Sequence, residues 1–228
     1  MDAQALKRVT VFAGHYGSGK TNVAVNYALR LCKDGIAHVA IADLDIVNPY
    51  FRTKDAAKAL EDHGVRLISS AYANTNVDTP AVPADAYAVV HDRSLHAVLD
   101  VGGDDRGALA LGRYAPYLSE EQDYEMLLVV NKYRYLTKEP AEALTVMREI
   151  EEAAGLRFTG VVNNSNLGDE TTVETVLDSI PYAKAITDMS GLPLRFTTVR
   201  CDLYDALKDQ VEHPLPLTLY VRQSFKSR

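Results

Sequence analysis

Short apolar runs alternate along this chain with segments whose apolar residues recur at helical spacing, a rhythm that persists from residue 8 to residue 200. Residues 8–13 predict a strand. Residues 21–33 predict a helix, with Val23, Ala24, Tyr27, Ala28 and Leu31 on one face and Gly35 as its stop. Further strands are predicted over 37–43, 65–69, 96–100, 126–131 and 159–163, with a β-rich piece over 195–200. Pro140 opens a helix expected to run through Ala153 and close at Gly155, and another starts near Thr171. Near-continuous apolar strands have no polar face to offer water, so both faces of their sheet must be covered. The expectation is a three-layer α/β fold, a mostly parallel central sheet with helices on both faces. Ligands of such sheets gather at the carboxyl ends of the strands. The predicted ends carry Gly14, Asp43, Asp100, Asn131 and Asn163.

The 228 residues fit one domain spanning residues 1–228, and a hydrophobic content of 47% is that of a globular chain. The longest irregular stretch, residues 74–85, clusters Asn, Asp and Pro and is expected to touch a partner or substrate. A net charge of -7 argues against a nucleic-acid partner. No apolar run approaches the roughly 18 residues that span a bilayer, and no signal-peptide pattern opens the chain, so a cytoplasmic location is expected. Cys32 and Cys201 are the only cysteines and lie far apart, which disfavours a disulfide framework or a cysteine-bound metal within one chain.

The most specific chemistry sits directly behind the first strand. Gly14-His15-Tyr16-Gly17-Ser18-Gly19-Lys20-Thr21 fits G-x-x-x-x-G-K-[ST] and leads into the first helix through Asn22. Strand, glycine-rich loop and helix in that order are what a phosphate-binding P-loop requires. The loop turns its N–H groups inward at the positive end of the helix, Lys20 reaches the β- and γ-phosphates, and the Thr21 hydroxyl ligates Mg²⁺.

Two acidic strand ends complete the pattern. Asp43-Leu44-Asp45 follows the second predicted strand, and beside a P-loop one carboxylate can support the metal while the other orients the attacking water. Asp45 is assigned the catalytic role, with Asp43 supporting it and the metal; a turn-forming acidic pair is the structural alternative. Ala97-Val98-Leu99-Asp100 ends in a carboxylate suited to Mg²⁺, and Gly103 behind it lets a backbone N–H approach a γ-phosphate.

On residues 14–21, on Asp43-Leu44-Asp45 and on Asp100-Val101-Gly102-Gly103, the chain resembles the MinD/ParA group of P-loop ATPases, which includes the nucleotide-binding domain of cobyrinic acid a,c-diamide synthase. Residues 43–52 and Gly191-Leu192-Pro193-Leu194 resemble its stand-alone ATP-binding members. The resemblance implies binding of ATP and Mg²⁺, slow hydrolysis to ADP, and often an ATP-bound homodimer. Complete phosphate machinery without an obvious second-substrate site points to a nucleotide-controlled switch acting on a protein partner. One position departs from the group: its loops carry a second lysine after the first glycine, where this chain has His15. A shorter imidazole supplies no permanent charge there. Arg52 or Arg106 could serve instead as an arginine finger, or each could be a solvated surface charge.

The base is expected to be adenine. Asn131-Lys132-Tyr133-Arg134 begins like the guanine-reading N-K-x-D element but ends in arginine, whose guanidinium has only donors for guanine's donor edge. Asn163 or Asn164 could read adenine, as the resemblance also implies, or the pair could simply form an Asn-rich turn. Two further functions remain open. A small-molecule kinase or ligase resembling dethiobiotin synthetase would line an acceptor pocket with residues 74–93. An iron–sulfur protein would need cysteines bridging a dimer, which Cys32 and Cys201 are poorly placed to provide. The segment 219–228 reads as a simple terminal segment more readily than as a membrane anchor.

Overall fold

The computed structural model describes residues 6–44, 56–68, 87–103 and 105–220. Asp45, Arg52, the stretch 74–85 and the end of the chain from residue 221 lie outside the described residues, as do the side chains of Asp105 and Arg106.

Eight strands form one sheet: β1 (Val9–Ala13), β2 (Val39–Asp43), β3 (Arg66–Ile68), β4 (His96–Asp100), β5 (Tyr124–Val130), β6 (Gly160–Asn163), β7 (Leu194–Arg200) and β8 (Pro214–Leu217). Their order is β3-β2-β4-β1-β5-β6-β7-β8, and each neighbouring pair is parallel. The connecting helices are α1 (Lys20–Lys33), α2 (Ala57–Asp62), α3 (Ala88–His91), α4 (Asp105–Gly112), α5 (Ala115–Glu121), α6 (Pro140–Ala154), α7 (Val173–Leu177), α8 (Ile180–Ser190) and α9 (Tyr204–Leu207). Among the described residues no helix is long and apolar enough to cross a membrane.

Strand alternation divides the core in two. Phe12, Ile41, Val98, Leu127 and Val129 pack with Val23, Ala24, Tyr27, Ala28 and Leu31 of α1 and Leu60 of α2. Val11, Ala42, Leu99, Met126, Leu128 and Val161 point the other way, against Leu111, Leu118, Leu144 and Ile186 of α4, α5, α6 and α8. Fully burying one such side chain contributes about 1.5–3 kcal/mol, so each face stabilises its own helical layer. A smaller cluster of Val176, Val199, Leu207 and Val211 packs α7 and α9 against β7.

The predicted strand over 96–100 and the helix from Pro140 stand where expected, the helix ending one residue later at Ala154 with Gly155 in the left-handed region as its cap. The helix expected near Thr171 is two helices, because Pro181 sits in the first turn of α8 and restarts the run after Ser179. Strand β8, Pro-Leu-Pro-Leu, carries two prolines that argue against strand structure, yet it lies at the sheet edge, where a missing N–H costs no ladder bond.

Candidate phosphate-binding site at the switch point of the sheet

The strand order reverses at β1, which is flanked by β4 on one side and β5 on the other. Chain connections leave such a point in opposite directions and open a crevice beyond the carboxyl end of the strand. The loop Gly14–Gly19 fills that crevice edge and delivers the chain into α1 at Lys20. No acidic residue occupies the first turn of α1, so the positive end of a helix of 14 residues faces the loop without an internal counter-charge.

Lys20 is buried, and its Nζ donates to the carbonyl of His15 at 3.0 Å, folding the side chain back along the loop. Thr21 Oγ1 donates to Asp100 Oδ2 at 2.7 Å. Asp43 stands in register with Asp100 across the β2–β4 pair, and partners in a parallel ladder project to the same face. Both acids therefore end their strands on the face covered by α1. Leu44 donates its N–H to the Asp100 carbonyl at 2.8 Å, tying the start of the 44–55 segment to β4. A hydroxyl beside one carboxylate, with a second carboxylate one strand away, is an oxygen donor set suited to Mg²⁺, which takes one or two carboxylates and completes its shell with phosphate and water. The residues present fit that ion.

Gly103 closes the site from the other side. A β-carbon there would lie 2.6 Å from Tyr16 N and Cα and 2.9 Å from Lys20 Nζ. Only a residue without a side chain allows the segment after β4 to come this close to the loop. Gly14, His15, Tyr16, Gly17, Ser18, Gly19, Lys20, Thr21, Asn22, Asp43, Asp100 and Gly103 are thus gathered at one end of the sheet. Asn22 has a structural duty as well, its Oδ1 accepting from the N–H of Tyr220 at 3.0 Å.

Asn163 and Asn164 are 0% and 1% exposed. Asn163 Nδ2 donates to Ser179 Oγ at 2.9 Å, and its Oδ1 accepts from the N–H of Ser165 at 3.2 Å. Asn164 Nδ2 donates to the Ser18 carbonyl at 2.6 Å, and its Oδ1 accepts from Thr198 Oγ1 at 2.6 Å. Both amides thus make hydrogen bonds inside the protein, the bracing arrangement of the Asn-rich turn that stood as the alternative to a contact with the base. They stitch β6, β7 and α8 to each other and to the loop.

Asn131 does similar work. Its Nδ2 donates to the Asn166 carbonyl at 3.1 Å and its Oδ1 accepts from the Tyr133 N–H at 3.0 Å. Lys132 Nζ is paired with Asp178 at 2.7 Å. Burial, assisted by Asp178, pushes the Tyr133 phenol up from its ordinary value. Arg134, by contrast, reaches the loop itself: a β-carbon on Gly17 would lie 3.5 Å from its Nε. Thr198 and Arg134 were not legible as site residues, one being an ordinary strand threonine and the other visible only as a missing aspartate.

No family model matches the sequence, and no curated protein matches it. Among solved structures the chain is similar to the cell division protein FtsY from Thermotoga maritima, at 22% identity over 84% of this chain and 61% of that one, with a TM-score of 0.55. It is also similar to the 54 kDa signal recognition particle protein from Aeropyrum pernix K1 in complex with GDP, at 14% identity over 86% of this chain and 42% of that one, with a TM-score of 0.55. The chain thus spans about two fifths to three fifths of the length of these proteins. The likeness is one of fold: one eight-stranded parallel sheet flanked by helices, matching these P-loop NTPase neighbours. The MinD/ParA group is a different branch of the same superfamily from the FtsY and signal recognition particle proteins.

Proposed function

We propose that this chain is a Mg²⁺-dependent, MinD/ParA-type ATPase, a single nucleotide-binding domain working in the cytoplasm as a nucleotide-controlled switch on a protein partner. The observation that carries the reading is the convergence of Lys20, Thr21 and Asp100 at the switch point, with Thr21 Oγ1 and Asp100 Oδ2 held 2.7 Å apart. Loop amides and Lys20 hold the polyphosphate and neutralise charge that develops on it. Thr21, Asp100 and Asp43 hold the ion, which supplies further charge neutralisation. Asp45, next but one to Asp43, orients the water that attacks the γ-phosphorus in line. The new P–O bond forms as the bond to the β–γ bridging oxygen breaks, giving ADP and inorganic phosphate. Lys20→Ala is expected to abolish nucleotide binding, and Asp45→Ala to spare binding but stop phosphate release.

Adenine rather than guanine is favoured by the run Asn131-Lys132-Tyr133-Arg134, which lacks at its fourth position the acid whose carboxylate would accept from guanine's donor edge. The competing reading, a GTPase, is favoured by the fold neighbour that binds GDP. Calorimetric titration of the chain with Mg-ATP and Mg-GTP in parallel decides between them: ATP is expected to bind at least tenfold tighter, and equal or reversed affinities overturn the adenine assignment. Exposed apolar side chains at the same end of the sheet, Tyr16 at 60% and Tyr135 at 84%, with Leu136 and Leu167, support a protein partner or a second copy docking over the nucleotide. Sizing the protein with ADP and with a non-hydrolysable ATP analogue tests the homodimer. Phosphate release that needs no added metabolite separates this reading from a kinase or ligase.

A further inference from the structure

Lys20 is the one lysine of the loop Gly14–Thr21, and position 15 holds a histidine. A nucleoside triphosphate bound with one divalent cation keeps a net negative charge that Lys20 alone does not balance. Arg134 lies at the place where a second charge is needed. It leaves the loop after β5, the strand beside β1, and its side chain runs across the bare face of Gly17. A β-carbon built on Gly17 would meet Nε at 3.5 Å and Cδ and Cζ at 3.7 Å, so the end of the Arg134 side chain passes over the face of the loop that Gly17 leaves bare. Two features fix the reach. The Arg134 N–H donates to the Asn131 carbonyl at 3.1 Å, closing the turn after β5. Asn131 and Ser165 then lock that turn against the loop after β6.

We infer that Arg134 is a polyphosphate-binding residue acting from within the same chain, its guanidinium donating to the α- and β-phosphate oxygens of the nucleotide held by Gly14–Thr21. This rests on the nucleotide reading above. The planar guanidinium suits the task, since its fork of donors matches phosphate geometry in a way an ammonium does not. Burial holds the Arg134 guanidinium below its ordinary value, with the neighbouring Tyr16 acting in the opposite direction. The same placement explains why the fourth position of Asn131-Lys132-Tyr133-Arg134 is not the base-reading acid: the side chain is turned to the phosphate loop.

Calorimetric titration of the full chain and of its Arg134→Gln and Arg134→Lys variants with Mg-ADP, Mg-ATP and adenosine tests this. Arg134→Gln is expected to weaken ADP and ATP about tenfold to a hundredfold, the worth of a charge-assisted hydrogen bond, while adenosine affinity stays within about twofold. Arg134→Lys, which keeps a stem over Gly17 and guards against a folding defect, is expected to recover part of the loss. The dependence of ADP affinity on salt is expected to become shallower in Arg134→Gln, with one phosphate contact gone. An unchanged ADP affinity in Arg134→Gln overturns the inference alone, since the wild type still binds. Equal losses for ADP and adenosine overturn it in favour of a contact to the base or a general loosening of the loop. A wild-type chain that binds neither ADP nor ATP overturns the nucleotide reading and this inference with it.

Discussion

Asn164 at the end of β6 donates its amide to the backbone carbonyl of Ser18 across 146 residues of sequence, at 2.6 Å, in an environment closed to water. That bond ties the loop Gly14–Gly19 to the end of β6. Thr198 of β7 holds the other end of the same amide. Asn164→Ala removes the strut, leaving the Ser18 carbonyl without that donor and Thr198 Oγ1 with only its 3.4 Å contact to the Asn163 carbonyl, a loss of about 1–3 kcal/mol. Affinity for Mg-ATP is expected to fall about tenfold or more, and the urea midpoint should drop alongside it. Thr198→Val is expected to give a smaller loss in both, and Thr198→Ser to restore them. Calorimetry with a parallel unfolding curve checks this, and wild-type affinity in Asn164→Ala overturns the strut.

Thr21 and Asp100, in contact at 2.7 Å, belong to the proposed ion site. Wild-type affinity for ATP should decline when Mg²⁺ is chelated. Thr21→Ala and Asp100→Asn are expected to lose most of that dependence while keeping some metal-free affinity through Lys20 and the loop amides. The comparison is one titration with Mg²⁺ and one with EDTA for each variant.

Gly103 admits no side chain without displacing Tyr16 or Lys20. Gly103→Ala is expected to lower both nucleotide affinity and turnover while changing the unfolding midpoint little, because the atoms it would displace belong to Tyr16 and Lys20 of the loop rather than to the apolar core. Turnover equal to wild type would show that the close approach is not used.

Away from the site, Arg8 and Glu121 make a bidentate pair at 2.7 and 2.6 Å, both largely buried, and Arg8 Nη1 also donates to the Val89 carbonyl at 2.8 Å. Glu121→Ala strands a guanidinium in the interior and is expected to cost about 3–5 kcal/mol of folding stability. The hydrogen bond and charge of Arg8 hold the Glu121 carboxyl below the usual glutamate range. A depressed folded value means that its stabilising contribution is complete above the ordinary glutamate value of about 4.3 and disappears as pH falls through the lower folded value. Urea midpoints measured from pH 7 down to pH 3 should therefore fall more steeply in wild type than in Glu121→Gln.

Periodicity and local motif sufficed for what is decided within a few residues. The apolar runs over 96–100 and 126–131, the helical face of 21–33 and the cap at Gly155 state their structures locally, through pleat, helical period and left-handed backbone. The loop Gly14–Thr21 is legible for the same reason, as are Asp43 and Asp100 as acidic strand ends. Tertiary structure decided the rest. Strand order placed β1 between β4 and β5, so that Asp100 meets Thr21 and Arg134 meets Gly17; no local pattern encodes a pairing between residues 79 or more than a hundred positions apart. The hydrogen bonds of Asn163 and Asn164 are likewise set by burial. An asparagine at a strand end can read a base or brace a backbone with the same donors and acceptors, and only the packing of β7 and α8 around it determines which.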